Sequence, residues 1–223
     1  MAGRFRNQVD ILDIDAYDYL KIAIVGAGSI GSFLALALNK LGFKNLIIID
    51  DDKVEDHNVA TQYYHARDKG QHKVQALRRE LEENVAVHAT KVKATHKIKA
   101  DVVFVCVDSL KQRKIILKSI LDSRDKYNSK PSLIIDGRMH RLLFRVYTIP
   151  LNNAELVKKY TKSLMGTEFK GKCTEKGIIQ NAFAIVSTMV EQLKKVVNGE
   201  KYHAILNCDF ENFMFNKQVP MND

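Results

Sequence analysis

Hydrophobic positions along the chain alternate between short continuous runs and longer stretches spaced by three and four. Ile22, Ala23, Ile24 and Val25 form an apolar run that ends at Gly26, the pattern of a strand buried on both faces entering a tight turn. Helical spacing starts directly afterwards: Ile30, Phe33, Leu34, Ala37, Leu38 and Leu41 share one side until Gly42 supplies a stop. A second strand is predicted over 45–50. Strand, helix and strand make a βαβ unit, and the right-handed crossover rule places its two strands parallel in one sheet.

The later pattern extends this plan. An amphipathic helix is predicted over 73–84 from Val74, Leu77 and Leu81, a buried strand over 101–107, and a helix over 109–121 with Ile115, Ile116 and Ile120 inward. A strand over 132–136 is followed by an extended segment over 142–149 that Pro150 ends. A long helix over 178–197 carries Ile178, Ala182, Ile185, Val186, Met189, Leu193 and Val196 at helical spacing. The expected fold is a Rossmann-like three-layer α/β/α arrangement whose mostly parallel sheet is extended by antiparallel strands. No repeat and no linker rich in Pro, Gly or Ser divides the chain. The expectation is a single domain over 1–223, with an N-terminal arm (1–20), a nucleotide-binding core (21–136) and a sheet extension with C-terminal helices (137–223).

Composition narrows the function classes only a little. With 223 residues, 46% hydrophobic and 27% charged, the chain can bury a core without disulfides. Cys106, Cys173 and Cys208 are far apart and form no CxxC pair, so neither a structural zinc nor a redox dithiol is expected, and a reducing compartment is the simpler reading. No apolar run approaches the ~18 residues of a membrane span, and the first residues lack an apolar signal core; a cytoplasmic location without a membrane partner is expected. The formal charge of +9 favours nucleotide, nucleic acid or an acidic protein without choosing among them. Its lysines and arginines are spread along the chain, and no RNA- or DNA-binding motif accompanies them.

The chemistry is concentrated around Gly26-Ala27-Gly28-Ser29-Ile30-Gly31, a GxGxxG turn that follows a predicted strand and opens a predicted helix. Gly26 permits the tight turn, Gly28 lets phosphate approach the backbone, and Gly31 lets the helix pack closely on the strand. The N–H groups at the start of that helix favour an anion. Asp50, about 20 residues on, is placed to accept hydrogen bonds from ribose hydroxyls. To this point NAD and ATP fit equally well, and an NAD-dependent oxidoreductase stays open.

The segment from Asp50 to Gln62 separates them. Asp50, Asp52, Val54, Asn58 and Gln62 resemble the DxDxVxxxNxxxQ signature of the ThiF/MoeB/ubiquitin-activating superfamily of adenylating enzymes. Gly70-Gln71-His72-Lys73 resembles that family's GxxK loop, and Asp108 its aspartate at the end of the fourth strand; the likeness weakens through Asp136-Gly137-Arg138-Met139 and beyond Cys173-Thr174. The resemblance implies attack of a substrate carboxylate on the α-phosphate of Mg-ATP, giving acyl-AMP and pyrophosphate. Lys73 suits a cation on the phosphates, and Asp108 suits Mg²⁺, a hard ion that takes carboxylate oxygen. Asn58 and Gln62, four apart, either contact phosphate or scaffold the loop, and Asp52 is either a support of the nucleotide loop, as the resemblance implies, or a solvated charge.

Three features qualify the likeness. Where relatives carry arginine beside the glutamine this chain has Thr61, for which Arg67 is the nearest replacement. Arg4 and Arg6 loosely resemble an N-terminal segment that completes a neighbour's site in relatives, which would require a homodimer; the alternative is a basic tail. Cys173, flanked by Lys170, Lys172 and Lys176, is either an acyl acceptor or a packing cysteine. The implied substrate is the C-terminal glycine of a small ubiquitin-like or sulfur-carrier protein ending in Gly-Gly. A peptide or tRNA-base carboxylate, and a non-catalytic nucleotide-binding partner subunit, are the alternatives.

Overall fold

The computed structural model describes residues 4–8, 10–81, 85–127, 131–166 and 178–220. Four short strands open the sheet: β1 (Ile22–Val25), β2 (Leu46–Ile49) and β4 (Val102–Val105), all wholly apolar, and β3 (Ala86–His88), which lies at its edge. They pair in parallel with one another, β5 (Leu133–His140) joins parallel to β4, and β6 (Leu143–Pro150), β7 (His203–Asp209) and β8 (Met214–Pro220) continue the sheet antiparallel. The strand order is β3-β2-β1-β4-β5-β6-β7-β8. Because strand side chains alternate between faces, the sheet feeds two cores. Ile22, Ile24, Phe104 and Ile135 lie in one, and Ala23, Val25, Val103, Val105 and Ile134 in the other.

Helices cover both faces. The first core packs beneath α1 (Ser29–Leu41), α2 (Lys73–Glu80) and α5 (Ile179–Val197), through Leu34, Leu38, Val74, Leu77, Ile185 and Met189. The second packs beneath α3 (Leu110–Tyr127) and α4 (Ala154–Ser163), through Ile116, Ile120, Leu156 and Tyr160. The expected three-layer α/β/α fold is therefore present. Gly137 sits where α5 crosses β5: a Cβ there would meet Met189 Sδ at 2.5 Å, so this glycine sets how closely the helix approaches. Among the described residues, no helix is long and apolar enough to cross a membrane.

Four elements were not anticipated individually: β3, α4, β7 and β8. Asn153 caps α4 by accepting from the Leu156 amide at 3.0 Å, and only one side of that helix is apolar. The segment before β1 docks on the far end of α1. Phe5 and Ile14 lie against Gly42, whose φ is +102°, and Gln8 Nε2 donates to the Leu41 carbonyl.

Candidate functional site

The C-terminal ends of β1, β2, β4 and β5 face one edge of the sheet, where open α/β folds place ligands. The turn after β1 occupies the middle of that edge. Gly26 has φ +98°, and a Cβ on it would lie 2.7 Å from the Cys106 carbonyl oxygen, so the turn touches the loop that carries Asp108 backbone to backbone. A Cβ on Gly31 would overlap the Gly26 carbonyl oxygen, which makes this glycine the close contact between α1 and β1. At Gly28 a Cβ would find nothing within 4 Å, which leaves a shallow cradle over the backbone. No side chain caps α1 at Gly28, so its first N–H groups are available to an anion. Ile30 is buried in the core and anchors this first turn.

Asp50 ties the cradle together. Its Oδ2 accepts from the Ala27 amide at 2.6 Å and its Oδ1 from the Asp52 amide at 2.8 Å. Burial raises its pKa above 3.8, opposed by those two amides and by Lys73. Each carboxylate oxygen has a second lone pair, so the group can still accept from ribose hydroxyls. The following segment closes the other side: Ser29 Oγ donates to the Thr61 carbonyl at 2.6 Å, and Tyr64 OH donates to the Ala27 carbonyl at 2.6 Å. Burial pushes the Tyr64 phenol up, keeping it a donor.

Lys73, at the start of α2, is 7% exposed at its side chain, and its Nζ donates to Asp52 Oδ2 at 2.8 Å; Asp52 itself is 64% exposed. The two loops are stitched by Lys73 N to Asp52 O, Val54 N to Gln71 O and Gly70 N to Val54 O, all at 2.8–2.9 Å. Asn58 is buried and its Oδ1 accepts from the Glu55 amide, a scaffolding role for that side-chain oxygen. Gln62 presents a buried amide oxygen without a hydrogen-bond donor. Arg67 is held by Glu80 at 2.7 Å, at the opposite end of α2 from Lys73.

Among the described residues, Asp50, Asp51 and Asp52 have ligand atoms within 4.8 Å of one another. Two of them are already engaged, Asp50 by backbone amides and Asp52 by Lys73. Asp108 is exposed at the end of β4 beside the glycine turn, a donor of the right chemistry for a phosphate-bound Mg²⁺. A cleft of about 440 Å³ runs along the other face of β2, lined by Ile47, Ile49, His88, Val92, His96 and Ile98.

Arg6 is not part of this cluster. It is exposed on the arm at the C-terminal end of α1, and 13 helical residues separate that end from the glycine turn by about 20 Å. Cys173 lies outside the described residues. Sequence reasoning also passed over a buried network beneath Asp108. Arg113, 4% exposed, pairs with Asp136, which is fully buried; Arg138 and Tyr160 reach the same carboxylate at 2.9 and 3.0 Å. A signal was available: Arg113 falls in register with Ile116, Leu117 and Ile120 on the inner stripe of α3, where an unpaired charge is not tolerated.

Comparison with known proteins settles the family, since residues 9–222 match the ThiF family. The chain belongs to the ThiF family. Curated relatives include the NEDD8-activating enzyme E1 catalytic subunit of Arabidopsis thaliana, 34% identical over 73 residues, or 32% of this chain and 16% of that protein. Ubiquitin-like modifier-activating enzyme 5 of Caenorhabditis elegans is 40% identical over 57 residues, 26% of this chain and 14% of that protein. The matched stretch thus spans about a sixth or less of these relatives' own length. Solved structures of similar fold include E. coli MccB with ATP, TM-score 0.74 at 18% identity, covering 97% of this chain and 71% of that one. PaaA gives 0.71 at 18% identity, covering 99% and 74%. This ThiF-family chain therefore shares its fold with proteins of very different sequence.

Proposed function

We propose that the protein is an ATP-dependent adenylyltransferase that activates a carboxylate as acyl-AMP. The observation that carries this reading is the cradle itself: an uncapped helix N-terminus at an unobstructed Gly28, bounded by the ribose-type acceptor Asp50 and the buried cation Lys73. The cleft along β2 has a volume in the range of small-molecule sites and is lined by Ile49, the residue before Asp50, which suits a purine base. Gln62 holds a buried amide oxygen without a donor, an acceptor that a nucleotide's hydroxyl or amino group can satisfy. MccB, a structural neighbour, has been solved with ATP.

In the reaction, a carboxylate oxygen attacks the α-phosphorus, the bond to the β-phosphate oxygen breaks, and its electron pair leaves with pyrophosphate. Two anions must be held together, so the chain's task is positioning and charge neutralisation. An ammonium has three donors, and Lys73 can keep one on Asp52 while turning others to phosphate oxygens. Asp108 would hold Mg²⁺, a hard ion that would offset phosphate charge there. Arg6 sits too far from its own chain's cradle to act there, so a role for it requires a homodimer in which it reaches a neighbour's site.

For the acceptor we favour the C-terminal glycine of a small ubiquitin-like or sulfur-carrier protein, because the curated relatives include activating enzymes for ubiquitin-like modifiers. A second reading, a nucleotide-binding partner subunit without catalysis, is favoured by Thr61 and by the engagement of Arg67 with Glu80. Pyrophosphate exchange into ATP separates the two. Exchange that depends on an added Gly-Gly carboxylate supports adenylation; tight ATP binding with no exchange for Gly-Gly proteins, peptides or tRNA assigns the partner-subunit role.

A further inference from the structure

The Arg113 guanidinium gathers the end of β4, the loop that follows it and the middle of β5. One nitrogen donates to Asp136 and to the Val105 carbonyl at 3.4 Å; the other donates to the Val107 carbonyl and to the Gly137 carbonyl at 3.1 Å. Val107 immediately precedes Asp108, and the Arg113 amide donates to the Ser109 carbonyl at 3.0 Å on the other side of it. The Arg113 side chain therefore fastens the loop just ahead of Asp108, and behind it the loop passes into the first backbone bond of α3. Asp136, fully buried, is completed by Arg138 and Tyr160, and Arg138 is itself held by Ser163 and lies 4.3 Å over the Tyr147 ring. Burial lowers Arg113 to about 10, which leaves it charged at neutral pH.

We propose that Arg113 is the positioning residue for Asp108: its fork across the Val105, Val107 and Gly137 carbonyls fixes the backbone from which Asp108 meets a nucleotide-bound divalent cation. The assignment rests on the nucleotide reading above. A planar fork with five fixed donors is what this arrangement needs, and a lysine of equal charge cannot reproduce it. In such a variant the Val107 carbonyl of the loop is no longer tied by one rigid fork to the Val105 and Gly137 carbonyls, and the loop gains freedom where Asp108 must be still. The charge of the buried cluster, by contrast, is kept.

The test measures ATP affinity calorimetrically in Mg²⁺ and in EDTA, and takes the ratio as the gain due to the metal. Arg113→Lys should cut that gain about tenfold, the usual consequence of loosening a ligand's support, while leaving affinity in EDTA unchanged. Asp108→Asn should abolish the gain, and adding Arg113→Lys to it should change nothing further, since residues that act through one another are not additive. Tyr160→Phe removes a donor from Asp136 without touching the loop; it should lower the melting temperature and keep the gain. Should Arg113→Lys fail to fold, Arg113→Gln with Asp136→Asn removes the fork while keeping the buried pair neutral, and the same ratio is read.

An undiminished gain in the Arg113 variants overturns the assignment and leaves the nucleotide reading intact. So does a double variant that loses affinity in EDTA beyond Asp108→Asn alone, because Arg113 would then support the fold in general. A wild-type protein that binds no ATP in either condition overturns both.

Discussion

Gly28 and Gly31 stand three residues apart in one motif, and the structure assigns them opposite consequences. At Gly31 an alanine methyl would overlap the Gly26 carbonyl oxygen and lie 2.8 Å from its carbon, whereas nonbonded carbons rest about 3.5–4.0 Å apart. Relief requires the first turn of α1 to back away from β1 by roughly 1 Å, against backbone that no rotamer change can move. Overpacking costs about 1–3 kcal/mol, and a rigid backbone clash belongs at the upper end. A loss of about 3 kcal/mol corresponds to about 6–12 °C in melting temperature for a chain of this size. At Gly28, φ is −79° and no atom lies within 4 Å of the new methyl. Gly28→Ala should therefore melt within about 2 °C of wild type and lose the stabilisation that ATP confers, about 2.7 kcal/mol at a hundredfold excess over Kd. Thermal melting of both variants with and without Mg-ATP reads the two effects separately. A Gly31→Ala protein as stable as wild type would mean that α1 does not rest on the Gly26 carbonyl, and a Gly28→Ala protein that ATP stabilises fully would mean that phosphate does not lie over Gly28.

Other consequences follow from the same geometry. Because burial raises Asp50 in the folded state, its stability contribution is greatest below pH 3.8 and is lost as pH rises through the folded-state value. Urea unfolding should show wild type losing ground to Asp50→Asn over that window; a constant difference would contradict it. Ribose hydroxyls favour the ionised form, so ATP affinity of wild type should rise across the same window, as calorimetry at several pH values would show. Lys73→Ala leaves Asp52 without its ammonium partner and should weaken ATP binding strongly while costing stability. An unchanged ATP affinity would remove Lys73 from the site. If Arg6 completes a neighbour's cradle, solution mass should give a dimer, and Arg6→Ala should slow exchange without altering melting; a monomer with full activity would exclude this role.

The buried half of the fold was legible because parallel strands covered on both faces must be continuously apolar. Ile22–Val25 and Val102–Val105 were visible for that reason, and α1 and α5 because their single buried stripe repeats at helical spacing. The antiparallel extension was harder. In β7 and β8 polar residues such as Asn207, Asn216 and Lys217 interrupt the pattern, and β3 is three residues long with its ends exposed. Helix α4 was hidden by the lysines and glutamate of its outer side, though Leu156, Tyr160 and Leu164 mark its inner stripe. At the site, glycines and Asp50 were readable because their chemistry is local. The Asp136 network was not, because its members come from separate elements far apart in sequence and only the fold brings them together.

A binding titration of the wild-type protein with ATP and, separately, with NAD in the presence of Mg²⁺ decides which nucleotide the cradle takes. Saturable ATP binding that Asp108→Asn and Lys73→Ala weaken, with no response to NAD, is the result predicted. Saturable NAD binding with none for ATP would contradict it.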